Sequence, residues 1–304
     1  MDSNSMSKIV NNILNCSYEQ GVLHKFYFIQ AQKIYKFLTK NSGNYYLKPN
    51  DIISNRPALF GYHEPHLEAL FSRLAETHGD FLIDIGANIG MTSVMVGHAF
   101  DVIHCVEPNK IISKILDVNI ILAGLQNRTS IHQIGLGYET KVEKLHVPRF
   151  NFGGAYVQNG NAYSDTVIAG LREQREEIVQ DIEILEADNW VKKIFVGNPN
   201  WKNGVVKIDV EGFEHHIFTA LLRHIPKDVS IVVIMENFLE EIDFDRFASK
   251  NHKLTWFGFY KQKKYLKSFI YKVFGMSSYY QQIVAKIDRD SKAPHDLIVY
   301  FSPN

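Results

Sequence analysis

The chain of 304 residues holds only two cysteines, Cys16 and Cys105, far apart in sequence. That excludes a disulfide framework and a cysteine-based metal centre, both of which need several cysteines at short spacings. No apolar run approaches the roughly 18 residues that a bilayer-spanning helix requires. The N-terminus, Met1-Asp-Ser-Asn-Ser-Met-Ser-Lys8, lacks the basic-then-apolar pattern of a secretory signal. The expectation is a cytoplasmic protein in which Cys105, set in an apolar run, is a buried thiol. Net charge is missing too, with 33 Lys and Arg against 33 Asp and Glu. The totals therefore give no basis for binding nucleic acid, and any electrostatic preference must come from local patches. Internal repeats and low-complexity tracts are absent.

What is there is ordinary for a globular chain: 45% apolar and 22% charged residues. The length suffices for one large α/β domain with additions, and for a full core without staples. Residues 1–60 read as a mostly helical N-terminal extension. Apolar positions from Ile9 to Leu14 and from Phe26 to Leu38 recur at helical spacing, and a short strand is expected around Tyr45–Leu47. From residue 61 to 304 the pattern is that of one domain. A helix opens near Glu64. Strands at Phe81–Ile85, Val102–Val106, Ser130–Ile134, Val205–Val210 and Ser230–Glu236 then alternate with helices at Met91–Ala99, Ile111–Ala123, Glu214–His224 and near Ile242–Ser249. Short apolar runs alternating with helices predict a mostly parallel sheet covered on both faces. Leu254–Phe259 and Asp296–Phe301 read as a closing antiparallel pair at one edge. Two insertions interrupt the pattern, at about 138–204 and 260–295. The first holds an expected hairpin (Val142–Val147), a glycine-rich segment (Asn151–Gly154), a charged stretch (Arg172–Glu177) and a strand (Asp181–Leu185). Excursions this long from a sheet are usually functional or disordered.

The chemistry begins at Asp84-Ile-Gly86-Ala-Asn88-Ile-Gly90, which follows a strand and opens a helix. Glycines here let the backbone turn sharply and approach a ligand with no Cβ in the way. A dinucleotide loop reads Gly-x-Gly-x-x-Gly. This one lacks the middle glycine, and its wider turn suits an amino-acid-bearing nucleoside better than a pyrophosphate. That weighs against an NAD-linked oxidoreductase of similar topology. The next strand ends at Val106-Glu107-Pro108, where an acid in a doubly wound sheet hydrogen-bonds the ribose hydroxyls. An acid opening a helix is the bland alternative, but it does not account for the loop as well. An adenine ring is expected where the third strand ends, at Ile134-Gly135. The fourth strand gives Lys207-Ile-Asp209-Val-Glu211-Gly-Phe-Glu214, three acids and a lysine around one strand end. Burying that many charges without function would be costly.

In chain order, Gly61–Pro65, Asp84–Gly90, Val106–Asn109, Ile182–Asp188, Lys207–Gly212 and Glu214 together resemble the FkbM family of S-adenosylmethionine-dependent methyltransferases. The resemblance covers about residues 61–240, and the Lys207–Glu214 string is its most specific part. It implies a Rossmann-like class I methyltransferase fold with a mostly parallel seven-stranded sheet and helices on both faces. It implies S-adenosyl-L-methionine as cofactor, held by Glu64, Asp84, Gly86, Asn88, Gly90, Glu107, Pro108, Gly135 and Asp209. It further implies O-methylation of a carbohydrate acceptor, such as a glycan, polysaccharide or glycosylated metabolite. His215 and His216 depart from the family pattern, which tends to be apolar there. A non-catalytic binding module of the same fold is disfavoured by the presence of Glu107, Asp209 and Glu211.

A sugar hydroxyl is a poor nucleophile, so its proton must be taken or polarised. In one arrangement a side chain serves as base, from Asp209, Glu211, His215 or His216, with Lys207 paired to an acid. In the other a divalent cation, Mg²⁺, sits on Asp209, Glu236 and Asn237. That set resembles the metal ligands of catechol-type O-methyltransferases. Finally, Tyr260–Lys272 carries five lysines, interleaved aromatics and no acid. As a helix it would give peripheral contact with an anionic inner membrane face, or with a glycan; a solvated insertion is the alternative.

Overall fold

The structure of the chain is a computed structural model. It describes residues 22–38, 40, 45–47, 54, 57–59, 61, 64–149, 151–157, 177–210, 212–236, 244–263, 280–287, 294 and 296–304. Helix α1 (Val22–Leu38) comes first, and the expected helical positions from Ile9 to Leu14 lie outside the described residues. Residues 45–47 form no strand. The side-chain amide of Asn119 takes the place of a neighbour, accepting from Tyr46 N at 2.6 Å and donating to Tyr46 O at 3.2 Å. The strand expected there is thus a coil pinned by one side chain.

Helix α2 (Pro65–Ala75) begins after Glu64, as the proline predicts, because a missing N–H costs nothing in the first turn. The alternating section follows: β1 (Phe81–Ile85), α3 (Met91–Val96), β2 (Val102–Val106), α4 (Lys110–Leu122) and β3 (Thr129–His132). Asn109 caps α4, its side chain accepting from the backbone of Ile111 and Ile112. After the insertion come α5 (Ala187–Gly197), β8 (Asn203–Ile208), α6 (Glu214–His224), β9 (Ser230–Glu236), β10 (His252–Lys263), β11 (Tyr280–Lys286) and β12 (Asp296–Pro303). Helix α5 has no counterpart in the sequence-based expectation. Its buried Trp190, Val191, Ile194 and Phe195 nevertheless follow helical spacing. The helix expected near Ile242–Ser249 does not form in its described part, where Phe244–Phe247 make a turn.

The main sheet has eight strands in the order β11-β10-β12-β9-β8-β1-β2-β3. The pairs β1–β2, β2–β3, β1–β8 and β8–β9 are parallel. The expected seven-stranded sheet is therefore exceeded by one, and three of its pairs are antiparallel. β10 and β12 pair antiparallel as expected, but β12 lies inside, between β9 and β10, and β11 forms the edge. Tyr260–Lys263 continue β10 as strand, which corrects the helical reading of Tyr260–Lys272 over these residues; 264–272 lie outside the described residues.

Side chains on β1 alternate between the two faces. Phe81, Ile83 and Ile85 pack with α5 and α6 residues such as Ile194, Phe218 and Leu221. Leu82 packs on the other side with Phe71 of α2, Val94 of α3 and Leu116 of α4. Each such burial is worth roughly 1.5–3 kcal/mol. Strands β1 and β8 are covered on both faces, as central strands of a parallel sheet are.

The first insertion builds a second sheet, β4-β7-β5-β6, from β4 (Gly135–Gly137), β5 (Lys141–Pro148), β6 (Tyr156–Val157) and β7 (Glu177–Glu186). The hairpin expected within Val142–Val147 is one continuous strand instead. β5 pairs antiparallel with β7 from Lys141↔Ile184 to Pro148↔Glu177, and nothing in Val-Glu-Lys-Leu-His-Val supplies a turn. The charged stretch Arg172–Glu177 lies outside the described residues up to Glu177. Among the described residues no helix is long and apolar enough to cross a membrane.

Candidate active site

Strand order reverses at β1, whose neighbours β2 and β8 carry the chain to opposite sides. Ligands of open α/β sheets bind beyond the strand ends at such a point. A cleft of about 340 Å³ opens there.

The loop from β1 to α3 forms its floor. Gly86 has φ +79°, and a Cβ on it would lie 1.7 Å from the backbone oxygen of Asp209. Only glycine lets the end of β8 pass this close, and Asp209 N donates to Ile85 O at 2.9 Å across the same approach. Asn88 takes φ +51°, one of the few side chains that tolerate the left-handed region. This is where a dinucleotide loop would carry its next glycines. Gly90 also has positive φ and begins α3.

Glu107 follows β2 and is 8% exposed. Each carboxylate oxygen accepts one backbone N–H: Oε2 from Asn88 at 2.9 Å and Oε1 from Asn109 at 2.8 Å. Those bonds aim the group and leave each oxygen a further lone pair. Burial pushes its pKa up to about 7, against the two amide bonds and with help from the nearby charges of Asp84 and Asp209.

Beneath the floor lies a buried charge network. Asp84 is fully buried and accepts from Ser93 Oγ at 2.7 Å, while the Cys105 thiol donates to Ser93 Oγ at 3.3 Å. Burial, then the charge on Asp84, pushes the Cys105 pKa well up, so this thiol is inert. Lys207 Nζ lies 2.8 Å from Asp209 Oδ2 and 3.8 Å from Asp84 Oδ1. Burial opposes its charge, but Asp209, Asp84 and Glu64 outweigh burial and hold its pKa above the ordinary lysine range. Glu214 turns back from the first turn of α6. Its carboxylate accepts from Val210 N at 3.0 Å and Gly212 N at 3.0 Å, so it ties down the loop after β8. Its pKa is raised, chiefly by burial.

No family model matches this sequence, and no curated protein sequence matches it. The chain is similar to several solved structures. One is an O-methyltransferase from Bacillus cereus in complex with SAH, at 10% identity and TM-score 0.41, over 98% of this chain and 97% of that one. Another is the O-methyltransferase TomG from Streptomyces achromogenes, involved in tomaymycin synthesis and solved with SAM, at 10% identity and TM-score 0.41, over 79% of this chain and 80% of that one. A third is a precorrin 8w decarboxylase from Methanobacterium thermoautotrophicum, at 10% identity and TM-score 0.42, over 85% of this chain and 97% of that one. A likeness this distant is one of general arrangement and carries no argument about chemistry.

Of the residues singled out in the sequence, Glu64, Gly86, Asn88, Glu107, Pro108, Gly135, Lys207, Asp209 and Glu236 line one cleft. Asp84 and Gly90 frame it from behind. Glu211 and Asn237 lie outside the described residues. His215 does not reach the cleft. Its ring stacks on Phe247 at 5.4 Å and 22°. His216 points elsewhere, as adjacent helical residues must. It bonds Gly137 O through Nε2 at 3.0 Å and packs on Tyr138, with a pKa lowered mainly by burial.

The expected Mg²⁺ ligands are described in part: Asp209 and Glu236 line the cleft, and Asn237 lies outside the described residues. Among the described residues no three His, Cys, Asp or Glu side chains converge. The ammonium of Lys207 already supplies the positive charge beside Asp209.

Sequence reasoning missed the roof. Asn151–Val157 and the apolar side chains Leu145, Ile182 and Ile184 of the second sheet face the floor across the cleft. Tyr156 is fully buried, and its hydroxyl donates to Glu177 Oε1 at 2.9 Å. His146 Nδ1 meets Glu177 Oε2 at 3.1 Å, and its ring stacks on Tyr156 at 5.2 Å and 18°. The signal in the sequence was Gly153-Gly154, whose tight turn is closed by the Asn151 side chain.

Proposed function

We propose that the chain is an S-adenosylmethionine-dependent methyltransferase acting on a hydroxyl of a carbohydrate. The observation that carries the cofactor is Glu107. A carboxylate buried at the end of β2, aimed by two backbone amides and lining the cleft with lone pairs to spare, is built to accept both hydroxyls of a ribose. Gly86 keeps the floor free of side chain beside it. Ile134 and Leu136 with the roof residues Leu145 and Ile184 offer an apolar slot for a purine ring.

When bound, the cofactor supplies a methyl group on sulfonium sulfur for in-line displacement by the acceptor oxygen. The chain's part is then positioning and charge. Alignment of the two reactants can supply up to about 7–11 kcal/mol. Glu64, Asp209 and Glu236 line the cleft near one buried lysine, a surplus of negative charge that suits a cationic sulfonium and its ammonium group. Asp209, 38% exposed at its side chain, is the carboxylate available to take the acceptor proton, with Lys207 holding its orientation. Acceptor class and O-methylation rest on the resemblance of Lys207–Glu214 to the FkbM family.

The first test is a thermal-shift comparison of S-adenosylhomocysteine with NAD. The reading expects stabilisation by the former alone, weakened in Glu107→Ala. Stabilisation by NAD, or an unaffected variant, would sink the cofactor assignment. Labelled S-adenosylmethionine incubated with fractionated cell glycans, followed by mass spectrometry for an added methylene, then tests the acceptor. Label found only on protein, lipid or nucleic-acid fractions would overturn it.

A further inference from the structure

The C-terminal half of helix α1 is exposed. Among its residues from Ile29 to Leu38 none joins either apolar cluster, and every residue from Gln32 to Leu38 is exposed. Most of a helix's stability in a protein comes from packing an apolar face against something. Ile34, Phe37 and Leu38, spaced i, i+3, i+4, share one side and are 60%, 68% and 50% exposed. Lys33 and Lys36, spaced i, i+3, share another, and both are exposed; Lys40, beyond the helix, sits over the Phe37 ring at 5.2 Å. The sequence Val22–Leu38 contains no Asp or Glu.

We propose that α1 lies in the surface of an anionic lipid bilayer, with Ile34, Phe37 and Leu38 dipping below the headgroups and the lysines meeting lipid phosphates and carboxylates. An acid-free basic helix with large apolar side chains on one side suits that occupant. A second copy of the chain suits it less, since a helix with lysines and no acid offers no opposite charge to flank a helix–helix seam. This surface is independent of the methyltransferase reading. It is also distinct from the lysine-rich segment after β10.

The test is co-sedimentation of the full chain with vesicles of phosphatidylcholine alone, or of phosphatidylcholine with phosphatidylserine. The wild type is expected to pellet with the anionic vesicles only, and less so as salt rises. Lys33→Glu with Lys36→Glu, and separately Ile34→Asp with Phe37→Asp, should each abolish binding. Each lysine is worth roughly fivefold in partitioning. These positions are exposed, so an unchanged urea midpoint will show that the variants fold. Wild-type protein left in the supernatant, or pelleting untouched in both variants, overturns the proposal. So does a concentration-dependent dimer, seen by sedimentation equilibrium, that the Ile34→Asp, Phe37→Asp variant loses without any lipid binding.

Discussion

Asp84 and Lys207 face each other in register on the adjacent parallel strands β1 and β8, with Lys207 Nζ 3.8 Å from Asp84 Oδ1. Both side chains are buried, and the same ammonium reaches Asp209 at the edge of the cleft. One lysine thereby offsets a carboxylate under the floor and orients another beside the ligand space.

Lys207→Met should therefore cost far more than a surface charge. Removing one partner of a buried pair leaves the other charge without compensation, a loss of about 3–5 kcal/mol. Urea denaturation should show most of it restored when Asp84→Asn is added, because the stranded charge then disappears. A double variant no more stable than Lys207→Met alone would show that the lysine acts by packing.

Glu107 should make cofactor binding depend on pH near neutrality. Its carboxyl titrates at about 7 in the free protein, and the ionised form accepts ribose hydroxyls without competition from its own proton. Affinity for S-adenosylhomocysteine should then fall as pH drops below 7, by up to about tenfold per unit. Binding should take up fewer protons than it releases, which calorimetry in buffers of different ionisation enthalpy measures. In Glu107→Gln the slope should vanish. The same group has the opposite effect on the unliganded fold. Because its pKa is raised above the unfolded value of 4.5, its contribution is fully present below that value and is lost as pH rises through about 7.

The legible parts of this molecule are those whose pattern is local. Asp84–Gly90 announces a strand, a tight turn and a helix within ten residues, and Glu107 follows from the same unit. The roof was not legible, because it depends on β5 pairing with β7 along Lys141↔Ile184 to Pro148↔Glu177, a partnership between distant segments that periodicity cannot reveal. Helix α5 was readable in principle from Trp190, Val191, Ile194 and Phe195. The strand expected from the sequence ends at Leu185, and no element is assigned directly after it. His215 shows what spacing alone leaves open. A titratable residue beside a string of acids looks chemical in one dimension, while the helix turns it onto Phe247.

Buried His104 on β2 and half-buried His132 on β3 form a pair, with Nδ1 and Nε2 2.9 Å apart. Such a contact needs one donor and one acceptor, so protonating both rings breaks it. Burial, then the neighbouring ring, lowers His104 to about 4, and burial also lowers His132. A histidine depressed in the fold contributes stability above its unfolded value of 6.5, which is lost as pH falls toward 4. The loss should approach about 3 kcal/mol for His104. Denaturation midpoints between pH 7 and 4 should decline steeply in the wild type. With leucine at both positions the decline should be shallower, and an equally steep curve would assign it to other groups.

The roof should hold the cofactor through Tyr156. Strand β6 pairs with β5 at only two positions, Leu145↔Val157 and His146↔Tyr156, so backbone bonds alone pin it weakly. The Tyr156 hydroxyl adds a charge-assisted bond to Glu177, and His146 braces that carboxylate from the other side. Tyr156→Phe keeps the ring that lines the cleft and removes only the bond. Such a bond contributes about 1.5–3 kcal/mol when the acceptor is charged. If it restrains the roof over the bound nucleoside, S-adenosylhomocysteine should dissociate faster in Tyr156→Phe and in Glu177→Gln, with little change in association rate. His146→Ala should produce a smaller effect in the same direction, since it leaves the tyrosine–carboxylate bond in place. Stopped-flow fluorescence reads both rates. Unchanged dissociation in Tyr156→Phe, alongside a lowered melting temperature, would mean that the clamp stabilises the second sheet without restraining the ligand.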